Sequence, residues 1–212
     1  MTSVKRRSYR STIRRGDAPQ LVVAAARHLF ATKGYLATSI DDIAAEAGVA
    51  RPTVFTAVGS KPAILKAVVD QAIVGDDAAV PVAGRPWYAQ ALEEPDPLRA
   101  LHLHVRNMCR IQQRAGAVRR ALETAAAVDP AAAELYAEVR SQHRAGVAEM
   151  AADIAAKAGP QCDGPALAAL MFVLPAQSYY RLVDEEGWPV EKFEQWLVDV
   201  LERVCGLSPR TG

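Results

Sequence analysis

The chain has 212 residues, of which 50% are hydrophobic and 23% charged, the composition of an ordinary soluble globular protein with one sizeable core or a small domain joined to a larger one. Its three cysteines, Cys109, Cys162 and Cys205, include no CxxC pair and suggest neither a disulfide framework nor a structural zinc site. The formal charge of +1 hides a division: residues 1–70 carry 11 Lys and Arg against 5 Asp and Glu, a net of +6, while the remainder carries 14 against 19, a net of −5. An anionic partner is expected at the N-terminal end alone.

A basic arm, residues 1–16, comes first, with Lys5, Arg6, Arg7, Arg10, Arg14 and Arg15. It is expected to be disordered when free and to settle along phosphates or in a minor groove when bound, a solubilising tail being the plainer reading. Gly16-Asp17-Ala18-Pro19 is no apolar signal segment, and no uninterrupted run approaches the ~20 apolar residues of a membrane span. A cytoplasmic protein without a membrane partner is expected.

Asp17 followed by Gln20 resembles a capping box, with Pro19 in the first turn and Leu21, Val22, Ala25, Leu29 and Phe30 as the inner face of a first helix that Gly34 ends. Ser39 followed by Asp42 repeats the signal for a second helix, with Ile40, Ile43, Ala44 and Ala47 as its stripe and Gly48 as a sharp exit. A third helix starts at Ala50 or Arg51 and ends near Val58; Val54 and Val58 share its buried side, and Phe55 lies beside that seam. Gly59 breaks it. Ser60, Lys61 and Pro62 then open a fourth helix, whose Ile64, Leu65, Val68, Val69 and Ala72 turn toward the body.

Gly75 through Pro97 is rich in breakers, apart from a short helical stretch around Trp87 to Leu92. Helices over roughly 98–114, 117–127, 130–158, 165–186 and 189–205 follow, started by Pro130, Pro165 and Pro189 and stopped by Gly159, Gly187 and Gly206. With alanine abundant and β-branched residues unclustered, the fold class is all-α. The domains are the arm 1–16, a three-helix helix-turn-helix DNA-binding domain over 17–62, a larger helical ligand-binding and dimerisation domain over 63–206, and a tail 207–212.

The segment SIDDIAAEAGVARPTVFTAVGSK, residues 39–61, has the parts that put a short helix into a major groove of double-stranded DNA. Arg51 can pair with guanine in bidentate fashion, and Thr53 and Thr56 can offer methyls to thymine and hydroxyls elsewhere. Pro52 fits the first turn and shapes the approach to DNA. Lys61, beside the amide-rich start of the fourth helix, suits a phosphate. Ser39, Arg14 and Arg15 complete the expected contacts. A solvated or phosphate-clamping Arg51, a backbone-capping Thr53 and an ordinary exposed lysine are the plainer readings, as is a helical hairpin with no DNA role.

In the C-terminal half, Leu167, Leu170, Met171, Leu174 and Ser178 form one helical stripe, and Val190, Phe193, Trp196, Leu197, Val200, Leu201 and Val204 another. Meeting their symmetry mates, the two stripes would make a four-helix homodimer interface; completing the monomer core is the alternative. A regulatory pocket for a moderately apolar small molecule is expected among the central helices, lined by Trp87, Tyr88, His102, Arg106, Cys109, Tyr136, His143, Met171, Phe172, Gln177 and Tyr180. Pro175 interrupts this pattern and would bend its helix near Gln177, static accommodation of local packing being the plainer reading.

His102, His104 and Cys109 do not share a helix face, and no carboxylate completes a catalytic or metal set unless His143 or Asp184 arrives through the fold. No glycine-rich phosphate loop follows a strand. No catalytic residue, metal or cofactor is expected. A helical adaptor with a basic head is the second reading, and a small-molecule enzyme the third.

The run ARHLFATKGYLATSIDDIAAEAGVARPTVFTAVGSKPAIL, within about residues 18–66, resembles the TetR family of bacterial transcriptional regulators. The resemblance is carried by the glycine after the first helix, Thr38-Ser39, Asp42-Ile43-Ala44, Ala47-Gly48-Val49, Thr53-Val54-Phe55 and Ser60-Lys61. It implies an all-helical homodimer whose two heads recognise an inverted repeat, most often as a repressor, and a larger domain that binds an inducer and supplies the dimer interface. The sequence departs from the family pattern at Ala50, where Ser often caps the recognition helix, at Pro52 in place of a common glycine, at Phe55 in place of Tyr, at Ala57 in place of an aromatic or histidine phosphate contact, and at Val58 in place of a larger aromatic. Weaker nonspecific DNA affinity is expected from these losses, offset by the arm and Lys61.

Overall fold

The structure is a computed structural model that describes residues 16–74 and 84–207. The expected arm, with Arg14 and Arg15, lies outside the described residues, as does the tail beyond Leu207. Every regular element among the described residues is helical: α1 (Ala18–Thr32), α2 (Ile40–Ala47), α3 (Arg51–Ala57), α4 (Lys61–Val74), α5 (Pro86–Glu93), α6 (Pro97–Ala126), α7 (Pro130–Ala158), α8 (Gly164–Tyr179) and α9 (Val190–Cys205). A π-helical segment, Tyr180–Glu185, continues α8.

Local chemistry sets these boundaries. The Ser39 hydroxyl accepts from the Asp42 N–H and the Asp42 carboxylate accepts from the Ser39 N–H, so the box at α2 is complete. The same helix closes on Gly48 at φ +67, with Val49 N–H bonded to the Ala44 carbonyl and Gly48 N–H to that of Ala45, which sends the chain into α3 after three residues. Asp96, Asp129 and Asp163 cap α6, α7 and α8, each with proline in the first turn. The box expected at Asp17 and Gln20 does not form: Asp17 has near-helical backbone angles, φ −89 and ψ −14, where a cap needs an extended residue. Leu21 also departs from its expected face and lies 36% exposed, one position off the buried stripe of Val22, Ala26 and Phe30.

Two core clusters result. The first joins the head to the tip of the body: Val22, Ala26, Phe30, Ile43, Val54, Leu65 and Val68 pack with Ala115, Val118, Leu122 and Leu135 of α6 and α7. The second fills the far end, where Leu101, Val105 and Cys109 of α6 meet Met150 and Ile154 of α7, Leu167 and Met171 of α8, and Phe193, Leu197 and Leu201 of α9. Helix α6 runs through both.

It does so because the two helices expected over 98–114 and 117–127 are one, Pro97–Ala126, with Gly116 in its interior. An interior glycine costs roughly 1 kcal/mol relative to alanine. Burial of the neighbouring Ala115 and Val118, at 0% and 1% exposure, outweighs that cost and holds the helix together. Pro175 likewise sits buried inside α8 without ending it, and the helical register changes only at the π segment. Gly164–Glu185 is long and apolar enough, by length and composition, to cross a membrane, and it packs against α7 and α9 in the bundle.

Candidate nucleic-acid interface and body cavity

The head presents one face of α3 to solvent. Val54, fully buried, pins the helix against α1 and α2, which leaves Arg51, Pro52, Phe55 and Thr56 exposed on the opposite side and Thr53 partly exposed. Arg51 and Phe55 are one turn apart, with the guanidinium carbon 5.9 Å from the ring centroid. Phe55, 45% exposed, belongs to this outer face and not to the seam beside Val54 and Val58; its i+4 spacing from Arg51 was the available signal.

The polar groups of this face are already engaged within the head. Arg51 Nη1 donates to Asp41 Oδ2 at 2.6 Å, with both side chains more than half exposed. Such an ion pair contributes about 0–1 kcal/mol, so a guanine edge or a phosphate can displace the carboxylate. The Thr56 hydroxyl donates to the carbonyls of Pro52 and Thr53, both at 3.2 Å. Ser39 spends its hydroxyl on Asp42, where it donates to Oδ2 at 2.6 Å. These bonds hold that carboxyl below the usual carboxylate range. A Ser39 contact to DNA would therefore use the side of the hydroxyl left open to solvent.

Lys61 is placed differently from an ordinary exposed lysine. Its ammonium lies over the Tyr35 ring, 4.1 Å from the centroid, and burial lowers its pKa while the nearby Asp129 raises it. The Ser60 hydroxyl accepts from the Ala63 N–H at 3.4 Å and so caps the first turn of α4. Lys61, Ser60 and the α4 amides thus share one end of the head, with Lys61 drawn toward the body.

In the body, α6, α7 and α8 enclose a cavity of ≈ 230 Å³. Gln112, Gly116, Arg119, Arg120 and Glu123 form one stripe of α6; Tyr136, Val139, Arg140 and His143 form another on α7; Phe172, Val173, Ala176, Gln177, Tyr179 and Tyr180 close it. The wall spans both core clusters, since Leu122 belongs to the first and Tyr179 to the second. Burial and then Arg119 push the His143 pKa down to about 4, so its imidazole is neutral at pH 7. Its Nδ1 faces Arg119 Nη2 at 3.5 Å, and its ring packs on Phe172 at 5.1 Å.

Of the residues expected to line a pocket, Tyr136, His143, Phe172, Gln177 and Tyr180 meet at this cavity. The other six stand elsewhere. His102 and Arg106 are on the outer side of α6, Cys109 and Met171 are fully buried in the second cluster, Trp87 packs against that cluster, and Tyr88 donates to Glu149 Oε2 at 2.6 Å. Arg119 and Arg120 were missed because a helix break placed at Gly116 destroyed the stripe 112, 116, 119, 120, 123.

The two expected dimer stripes also divide. Leu167, Met171, Phe193, Leu197 and Leu201 are 0% exposed and complete the core of a single copy, because the inward side of each helix takes its largest apolar groups. Leu170, Leu174, Ser178, Trp196 and Val200 stay partly exposed, and Val173 and Tyr180 are exposed beside them. Among the described residues no three His, Cys, Asp or Glu side chains converge as a metal site.

Residues 22–68 match the family model for bacterial regulatory proteins of the tetR family. Solved structures with the same fold include a TetR-family protein from Syntrophomonas wolfei, at TM-score 0.69 and 15% identity over 93% of this chain and 99% of that one. A bacterial regulatory protein in the tetR family from Rhodococcus RHA1 aligns at TM-score 0.68 and 19% identity, over 91% and 98%. The TetR family transcriptional regulator PfmR from Thermus thermophilus aligns at 0.62 and 19%, over 86% and 97%. A comparison with curated proteins returns no match.

Proposed function

The head of this chain is a tetR-family DNA-binding domain on an all-helical body of the TetR fold, and from that premise we propose that the protein is a ligand-responsive repressor that binds an inverted-repeat operator as a homodimer. The observation that carries the reading is the exposed face of α3, with Arg51, Pro52, Phe55 and Thr56 outward and Val54 buried behind them. Arg51 leaves Asp41 for a guanine edge, Thr53 and Thr56 contact neighbouring bases, and Lys61 with the α4 amides takes a phosphate. Arg14 and Arg15 extend the contact along the backbone.

A second copy supplies the other half-site. Only 22% of the apolar window within Gly164–Glu185 is buried in one copy, which leaves a face of α8 that a symmetry mate can cover together with Trp196 and Val200 of α9. Two heads about 34–36 Å apart enter successive major grooves. A ligand in the cavity touches both core clusters at once, so it biases how the head cluster sits against the dimerisation end. A regulator of this kind works in the cytoplasm, without a membrane partner and without enzymatic turnover.

Selection of duplexes from a randomised pool by the purified full chain tests this. Enrichment of one inverted repeat is expected; enrichment of none, with binding only to acidic proteins, would favour the adaptor reading.

A further inference from the structure

We infer that the body cavity takes a small amphipathic organic anion, an aryl or short alkyl carboxylate, anchored by Arg119. This rests on the reading of the cavity as the effector site and adds the chemical class of the effector.

Charge balance comes first. The wall carries three guanidinium groups, of Arg119, Arg120 and Arg140, against one carboxylate, that of Glu123. Asp184 pairs with Arg120 at 3.7 Å, and Glu123, which accepts from the Tyr136 hydroxyl at 3.4 Å, is the one wall carboxylate left to balance the other two guanidiniums. Among the described residues neither Arg119 nor Arg140 makes an ion pair.

Arg119 is the more consequential of the two. Its guanidinium is partly buried, and desolvation lowers its pKa despite the opposing influence of Tyr136 and Glu123. The side-chain partner it has is His143 Nδ1, a neutral acceptor at 3.5 Å that leaves most of its five N–H donors unspent. A desolvated cation that only Glu123 compensates from a distance, with no carboxylate bonded to it, is costly, and a carboxylate that forks onto it offsets that cost. A cationic ligand meets the net positive charge of this wall instead, and a neutral one leaves Arg119 without a bonded carboxylate.

The remaining wall sets the other half of the ligand. The Phe172 ring packs tilted against His143, with the guanidinium carbons of Arg144 and Arg140 at 4.4 and 5.7 Å from its centroid. Tyr136, Tyr179 and Tyr180 add apolar surface. A volume of ≈ 230 Å³ lies just below the ~300–1,000 Å³ of pockets for drug-sized ligands and so suits a small ligand.

The test titrates 4-phenylbutyrate, 4-phenylbutan-1-ol and 4-phenylbutylamine into the full chain by calorimetry at matched pH and salt, then repeats the series with Arg119→Gln and Arg119→Lys. The carboxylate is expected to bind at least about tenfold tighter than the alcohol or the amine, with the preference lost in Arg119→Gln and partly kept in Arg119→Lys. Equal binding of all three, binding of none, or a preference that survives Arg119→Gln would overturn the inference. If the glutamine variant fails to fold, by helical circular dichroism, the ranking of the three ligands in the unaltered chain decides. The effect of the carboxylate on duplex affinity is read separately: Arg119-dependent binding with unchanged duplex affinity supports the anion site and removes the effector reading alone.

Discussion

The Tyr35 hydroxyl donates to Asp129 Oδ2 at 2.9 Å, across 94 positions of sequence, and the other oxygen of the same carboxyl caps α7 through the N–H groups of Ala131 and Ala132. One residue thus starts a body helix and holds the turn that leads into α2. The bond to Tyr35 is the foremost reason that the Asp129 carboxyl lies below the usual carboxylate range, and burial with the bond to Asp129 raises the Tyr35 phenol.

Tyr35→Phe should keep the ring under Lys61 and tilted against Phe30 while removing the bond to Asp129. Faster amide exchange in the α1–α2 turn and at the start of α7, with DNA selectivity unchanged, is the expected result by hydrogen-exchange mass spectrometry. Because the folded pKa of Asp129 is depressed, its contribution is present above the unfolded value near 3.9 and is lost as pH falls through the folded one. The exchange difference between Tyr35→Phe and the unaltered chain should therefore vanish in acid.

Asp41→Asn should strengthen binding to all duplexes, since it frees Arg51 and removes a negative charge beside the phosphates. Arg51→Ala should lower affinity for the preferred duplex by about 1–3 kcal/mol and for scrambled DNA by much less. Lys61→Ala should weaken both alike and flatten the salt dependence. Anisotropy titrations at several salt concentrations separate the three.

Stability should fall in acid through two histidines. Burial first, then the neighbouring His143, pushes the His104 pKa down to about 4, and among the described residues its Nε2 has no hydrogen-bond partner. His143 is depressed to about 4 as well. Both stay neutral in the fold while the unfolded chain takes up protons below about 6.5, so each removes roughly 1.4 kcal/mol per pH unit between about 6.5 and about 4 and nothing further below that. Urea titrations of His104→Leu across this window should show about half the slope of the unaltered chain.

The outer and inner sides of α8 and α9 should separate association from folding. Leu170→Glu and Val200→Glu are expected to give folded monomers by sedimentation velocity, because both side chains are only partly buried in one copy. Leu167→Ala and Phe193→Ala are expected to cost about 2–5 kcal/mol of stability, since each side chain is 0% exposed within one copy.

How much of this was legible depended on the range of the signal. Ser39, Asp42 and Gly48 specify α2 and the turn through contacts within four residues, and apolar Val54 between exposed neighbours gives α3 a local amphipathic pattern, so the head could be read from its sequence. The Asp-Pro starts of α6 and α7 are equally local. Gly116 could not be read this way, because its helical state is decided by the burial of Ala115 and Val118 in the first core cluster. With the break misplaced, the Arg119 stripe vanished from view. Leu167 and Leu170 share a helix, and only the packed positions of α7 and α9 decide that the first faces inward and the second outward. The Arg51–Asp41 pair crosses from α3 to α2 and needed their relative placement.

Insertion of α3 into the major groove is tested most directly by the ratio of affinities for the selected duplex and its scrambled counterpart at one salt concentration, in the full chain and in the Arg51→Ala/Thr56→Ala double variant. The ratio should fall close to one in the double variant while helical circular dichroism and dimer mass stay unchanged. A ratio that survives both substitutions would place sequence reading elsewhere on the molecule.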